Sequence, residues 1–163
     1  MALDPWAGAW FFWTTLPLCF FVIYSDLARM KIPTWSTDAL LAVYAVAGLI
    51  ALPFTDYLWG YAHFAVMLIA GIALNAAGVM GAGDAKFIAS AAPFVRLSDA
   101  STVAVLLAAG LLAAYLTHRA LKHSPVRALV PHWESWAAGT RFPMGFPLAV
   151  TLSGYFLLAW LIA

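Results

Sequence analysis

Charged residues are scarce in this chain of 163 residues, of which only 9% are Asp, Glu, Lys or Arg. Soluble domains carry roughly a quarter charged residues, so the composition argues against a water-soluble fold. The net charge of +1 is too small for a phosphate-binding surface and excludes nucleic acid as a partner. With Cys19 as its single cysteine, the chain can form neither an internal disulfide nor a multi-cysteine metal site.

Long apolar runs are abundant instead, and 65% of the residues are hydrophobic. A helix needs about 20 apolar residues to cross the hydrocarbon core of a bilayer. Five uncharged runs are candidates for such helices: residues 5–24, 39–53, 58–80, 100–117 and 144–163. No basic segment precedes the first run, so we expect it to remain as a span rather than to be removed as a signal peptide. The sequence therefore predicts an all-α, polytopic membrane protein with a single domain, residues 1–163.

A sixth run, residues 85–97, is shorter and contains Lys86 and Arg96. If it also crosses the membrane, one face holds seven of the eight basic residues: Arg29, Lys31, Lys86, Arg119, Lys122, Arg127 and Arg141. Because cytoplasmic loops carry the excess of Lys and Arg, we expect six spans, with these loops in the cytoplasm and both termini outside.

The fourth of these spans would reach only about 20 Å as a helix, which is less than the thickness of the hydrocarbon core. We therefore expect the preceding loop, Gly81-Ala82-Gly83-Asp84, to be recessed into the membrane, where protein or a water-filled cavity covers it. Its two glycines permit positive φ angles and a close approach of the backbone to another chain.

Two of the seven acidic residues lie at the predicted cytoplasmic border. Asp26 ends the first span and Asp84 begins the fourth, so the fold can bring them together. The other acids are interpreted as solvated or capping residues: Asp4, Asp56 and Asp99 in outer segments, Asp38 as the N-cap of the second helix, and Glu134 in a loop.

The helix dipole disfavours charge at the C-terminal end of a helix, where Asp26 lies, and favours it at the N-terminal end, where Asp84 lies. Two carboxyl groups in unlike environments can act as an acid and a base, one polarising a carbonyl and the other activating water. The residues alone leave a structural alternative open, in which Asp84 only caps its helix and Asp26 only neutralises Arg29 or Lys31. Ionisable groups at membrane depth are costly, which favours the functional interpretation.

Three segments resemble motifs of the type IV prepilin peptidases, a family of GxGD membrane aspartyl proteases. Residues 81–86, Gly-Ala-Gly-Asp-Ala-Lys, match the family's GxGD-x-K signature. Residues 26–33, Asp-Leu-Ala-Arg-Met-Lys-Ile-Pro, resemble its first catalytic motif, although Thr34 stands where the family often has Asn. Residues 143–147, Pro-Met-Gly-Phe-Pro, resemble its Pro-x-Gly stretch. The short chain looks most like the minimal six-helix branch that serves tight-adherence (Flp-type) pili, or the related archaeal preflagellin peptidases.

This resemblance implies that Asp26 and Asp84 are the catalytic aspartates, supported by Gly81, Gly83 and Lys86, with no metal or other cofactor. It implies an inner-membrane peptidase that removes the short basic leader of a prepilin-like protein on the cytoplasmic side. Lys86 either stabilises an ionised Asp84 and developing oxyanion charge, or anchors its helix among lipid headgroups. The cysteine-rich segment of longer, methylating members is absent, so methyltransferase activity is not expected.

Residues 118–142 form the other long polar segment. Pro125 and Pro131 interrupt it, and Trp133, Trp136 and Arg141 suit a surface helix at the headgroups. Its histidines, at positions 118, 123 and 132, lack the spacing of a helical zinc pair.

Two other functions compete with the peptidase. A small proton-coupled transporter also uses paired intramembrane acids, but its relay needs polar groups that continue across the membrane. Beyond His63 and Asn75 the spans contain few such groups. The second alternative is a non-enzymatic pilus assembly factor that retains the motifs.

Overall fold

The computed structural model describes residues 1–139 and 141–162. The helices are α1 (Pro5–Arg29), α2 (Thr34–Ala51), α3 (Phe54–Ala76), α4 (Ala82–Ala91), α5 (Ala100–Lys122) and α6 (Gly145–Ile162). Short 3₁₀ segments follow α4 and α5, and no strand occurs among the described residues. Five of the helices are long and apolar enough to cross a membrane, and α4 is the short one. The prediction of an all-α polytopic protein with a short fourth helix is confirmed.

The start of α1 follows local sequence signals, whereas the start of α2 departs from the prediction. The Asp4 carboxylate caps α1 by accepting the Trp6 N–H, and Pro5 occupies the first helical position. α2 starts directly after Pro33, so Asp38 lies inside this helix and is exposed. The prediction that Asp38 caps α2 is therefore wrong, because the helix extends beyond the apolar run into the preceding polar residues.

The centre of the bundle is formed by α1 and α6, which pack along each other in opposite directions. Gly8 near the start of α1 lies against Ala159 near the end of α6, and a Cβ on Gly8 would be 2.9 Å from the Ala159 Cβ. Aromatic side chains fill the core beside this contact. Phe11 packs edge-on against Phe94, with ring centroids 4.9 Å apart, and contacts Phe156 at 5.6 Å. The apolar packing thus links α1 and α6 to the residues that follow α4.

Asp99 is only 4% exposed and joins the N-terminal residues to α6 at one end of the bundle. Its carboxylate accepts the N–H groups of Ala2 and Leu3 at 2.8 and 3.1 Å and the hydroxyl of Tyr155 at 2.9 Å. The interpretation of Asp99 as a solvated residue is therefore wrong, since its partners come from chain segments that are remote in sequence.

The short fourth helix and its continuation join the two ends of the bundle. Asp84 shares a cavity with Asp26 near the end of α1, whereas Asp99 binds the residues just before α1. Residues 84–99 therefore run the length of α1, although α4 itself has only 10 residues. Since the end of α6 lies beside Gly8, both described chain ends lie at the Asp99 end of the bundle.

Candidate active site

Asp26 lies one turn before the end of α1 and is only 4% exposed. The helix stops just beyond it because Met30 adopts a left-handed conformation, with φ 52°, and donates its N–H to the Asp26 carbonyl at 2.9 Å. The Ser25 hydroxyl then donates to the Lys31 carbonyl at 2.9 Å and holds the turn that follows. This turn leads directly into Pro33 and α2. Asp26 therefore lies beside a short connection between α1 and α2 that is fixed by hydrogen bonds.

The start of α6 contacts the Asp26 side chain directly. The Gly145 N–H donates to Asp26 Oδ2 at 2.5 Å, and a Cβ on Gly145 would lie only 3.0 Å from that oxygen. The positive end of the α6 dipole therefore faces Asp26. The sequence predicted only the α1 dipole at Asp26, and the contact with Gly145, which belongs to the motif at residues 143–147, was not predicted.

Asp84 lies in the first turn of α4, because the helix begins at Ala82 with Gly81 as its N-cap. The expectation that residues 81–84 form a loop is thus wrong for three of the four residues. Gly81 has φ −66°, and the described glycines with positive φ are Gly78 and Gly139. The GxGD segment therefore does not need glycine for a left-handed backbone.

Close packing explains these glycines instead. A Cβ on Gly81 would lie 2.8 Å from Asp84 Oδ2, and a Cβ on Gly83 would lie 3.3 Å from the Ile32 Cβ. Gly81 leaves room for the carboxyl group, and Gly83 lets the start of α4 approach the turn that follows α1. Ile32 belongs to the motif at residues 26–33 and Gly83 to the GxGD motif, so this contact brings the two motifs together.

Asp26 and Asp84 line the same cavity, which has a volume of about 690 Å³. The turn after α1, the start of α4 and the segment before α6 form its walls. Arg29, Lys31 and Arg141 also line it. The single ion pair among the described side chains, Arg96 with Asp56 at 2.6 Å, lies elsewhere. The cavity thus combines two carboxyl groups with a cationic rim, and its volume leaves room for water beside the acids.

In the part of the chain that the structure describes, Lys86 forms no ion pair with Asp26 or Asp84. Its Nζ donates to the Thr34 hydroxyl at 3.1 Å, the side chain is exposed, and it does not line the cavity. This contact ties the start of α4 to the start of α2, and the two interpretations of the lysine, support of the acids or anchoring among lipid headgroups, stay predictions. Thr34, which departs from the family pattern, is the partner that holds it.

The segment after α5 is folded against the bundle rather than formed as a surface helix. It contains two short 3₁₀ segments, Pro125–Leu129 and Glu134–Ala137. Trp136 is only 4% exposed, donates its indole N–H to the Val130 carbonyl at 2.9 Å, and stacks on His118 with centroids 4.9 Å apart. Trp133 stacks on Trp136 in turn. The expected headgroup helix is therefore wrong, because the aromatic rings find partners within the protein.

The fold and the cavity define a multi-helix membrane protein with two carboxyl groups brought together from distant parts of the chain. A family model described as the type IV leader peptidase family matches residues 12–118. Because this match covers more than half of the chain, the protein belongs to the type IV leader peptidase family. The matched range contains Asp26 and Asp84 but ends before Gly145. Neither the curated proteins nor the solved structures contain a significant match.

Proposed function

We propose that the protein is an aspartic-type endopeptidase that removes the short basic leader from type IV pilin-like precursors, with Asp26 and Asp84 as its catalytic residues. The observation that carries this proposal is the shared cavity. Two acids 58 positions apart in sequence line one space at one end of the bundle. Membership in a leader peptidase family supplies the reaction class, and a tight-adherence prepilin is the substrate chosen for the test.

In the proposed reaction, one carboxylate removes a proton from water as the water oxygen bonds to the scissile carbonyl carbon. The other carboxyl group, initially protonated, gives its proton to the carbonyl oxygen. The resulting diol collapses as the C–N bond breaks. The leaving nitrogen takes the proton from the first group, and a diol hydroxyl returns a proton to the second. The Gly145 N–H holds Asp26 in place through these steps.

The active site faces the cytoplasm in this proposal. Arg29, Lys31 and Arg141 line the cavity, and Lys86 donates to Thr34, which also lines it. An excess of Lys and Arg marks the cytoplasmic side of a membrane protein. Arg96, near the opposite end, is neutralised by Asp56. This orientation puts the cavity on the side where a precursor carries its basic leader.

Cleavage of a tight-adherence prepilin by the purified protein in detergent or lipid tests the proposal. We expect Asp26→Asn and Asp84→Asn each to reduce leader removal by at least about 10²-fold, the lower range for loss of an acid or base catalyst. Asp38→Asn is the matched control, because Asp38 is exposed on α2 and does not line the cavity. Mass spectrometry of the product and a thermal melt of each variant complete the assay. Undiminished cleavage by both variants would end the two-aspartate proposal.

The same experiment separates the competing functions. A pilus assembly factor without enzymatic activity would leave the prepilin intact in the presence of the wild-type protein. A proton-coupled transporter would instead acidify loaded vesicles in a manner that depends on Asp26 and Asp84. Membership in a peptidase family favours cleavage over both alternatives.

A further inference from the structure

A second and larger cavity forms a groove on the side of the bundle, with a volume of about 1080 Å³. α3 forms one wall and α5 the other, while α4 and the residues after it form the floor. Most of the lining is apolar, including Val66 and Met67 from α3, Ile88 from α4 and Leu107 from α5. The groove therefore suits a hydrophobic occupant that arrives from within the bilayer.

One face of α4 connects this groove to the carboxyl groups. Ile88, Ala91 and Ala92 follow Asp84 by four, seven and eight positions, a spacing that aligns side chains along one side of a helix. Asp84 lines the cavity that also holds Asp26, whereas the other three residues line the groove. An elongated molecule lying in the groove would therefore have one end next to Asp84.

The dimensions of the groove fit a helix. From Ile88 to Leu97 the floor extends roughly 15 Å at a rise of about 1.5–2.0 Å per residue. This length accommodates about 10 residues of an α-helix. Ala91 of the floor and Ala104 of the α5 wall lie along the groove. Small residues let helix backbones pack closely in membranes, where the hydrophobic effect does not hold helices together.

We infer that this groove binds the apolar helix of the substrate between α3 and α5, with the scissile bond just beyond its Asp84 end. The inference rests on the proposed function, because a cleaved precursor must present the residues next to its scissile bond to Asp84. A helix in the groove meets this requirement without crossing the bundle. The small residues Ala91 and Ala104 favour a helix over a lipid acyl chain, which has no backbone to approach.

A bulky side chain inside the groove tests this inference. Ala104→Trp obstructs the α5 wall, and Val105→Trp is the matched control, because Val105 is 69% exposed and lies outside the groove. Two substrates are compared: a full-length tight-adherence prepilin in liposomes, and a soluble peptide that ends shortly after the scissile bond. We expect Ala104→Trp to raise the KM for the full-length prepilin at least 10-fold and to leave peptide cleavage unchanged. Val105→Trp should change neither.

Photocrosslinking gives a readout that does not depend on turnover. A photoreactive residue at position 104 in an Asp84→Asn background should capture the prepilin, and one at position 105 should not. Equal capture at both positions, capture of lipid alone, or an equal effect of Ala104→Trp on both substrates would overturn the docking inference. Failure of the wild-type protein to cleave either substrate would instead refute the proposed function, and crosslinking would still report on the groove.

Discussion

Replacing Gly145 with alanine tests whether the start of α6 sets the position of the Asp26 carboxyl group. The added Cβ would lie 3.0 Å from Asp26 Oδ2 and 3.0 Å from Ile32 Cδ1, whereas ordinary contacts begin at 3.4 Å. Both groups, or the start of α6 itself, must therefore move by about 0.4 Å, the difference between those distances. Since a displacement of 1 Å can cost about 10²-fold in rate, we expect kcat to fall by about 5-fold to 50-fold.

The assay is the rate of leader removal from a prepilin, measured together with the melting temperature of the same preparations. Gly154→Ala is the matched control, because Gly154 lies in the same helix and nothing lies within 4 Å of its added Cβ. We expect this control to keep its activity and to gain up to about 1 kcal/mol in unfolding free energy, since alanine favours helix. Wild-type turnover by Gly145→Ala, or an equal loss in the control, would refute the reasoning.

Three further substitutions separate activity from stability. Gly81→Ala should lower kcat by about 10-fold or more, because its Cβ would meet Asp84 Oδ2 at 2.8 Å and displace the carboxyl group to which we assign catalysis. Unchanged kinetics would contradict this. Lys86→Gln should change kcat/KM less than about threefold, since its exposed ammonium donates to Thr34 and forms no ion pair with the acids. A loss of about 10²-fold would assign it to oxyanion stabilisation instead. Tyr155→Phe removes the buried hydrogen bond to Asp99 and should cost about 1–3 kcal/mol in a thermal or denaturant unfolding assay, with activity per folded molecule preserved.

The spans were predictable because each apolar run is long and uninterrupted by charge. Their ends were less predictable. α1 continues from the apolar run to Arg29, and α2 begins at Thr34, five residues before the run that predicted it. The length of an apolar run reflects the thickness of the hydrocarbon core. The helix itself extends into the headgroup region as far as a residue that bounds it, such as Met30 after α1 or Pro33 before α2.

The two acids were predictable because acids at the edge of apolar spans are rare and costly. Their supporting contacts were not, because these contacts join distant parts of the chain. Gly145 lies 119 positions from Asp26, and Ala2 lies 97 positions from Asp99. No local pattern distinguishes a glycine that donates to a buried carboxylate from one that only allows helix packing. The motif at residues 143–147 contains Gly145 but did not predict its contact with Asp26, and nothing in the sequence predicted the contact of Ala2 with Asp99.

The proposed orientation predicts on which side of the membrane each end of the bundle lies. Asp4 lies at the Asp99 end of the bundle and His132 lies in the segment between α5 and α6, and both side chains are exposed. We expect a thiol reagent that cannot cross membranes to label Asp4→Cys in intact cells, and to label His132→Cys only after permeabilisation. The native Cys19 is only 2% exposed and should give little background. Labelling of both positions from one side would contradict the six-span topology. The reverse pattern would keep six spans but put the carboxyl groups outside, where a cytoplasmic leader could not reach them.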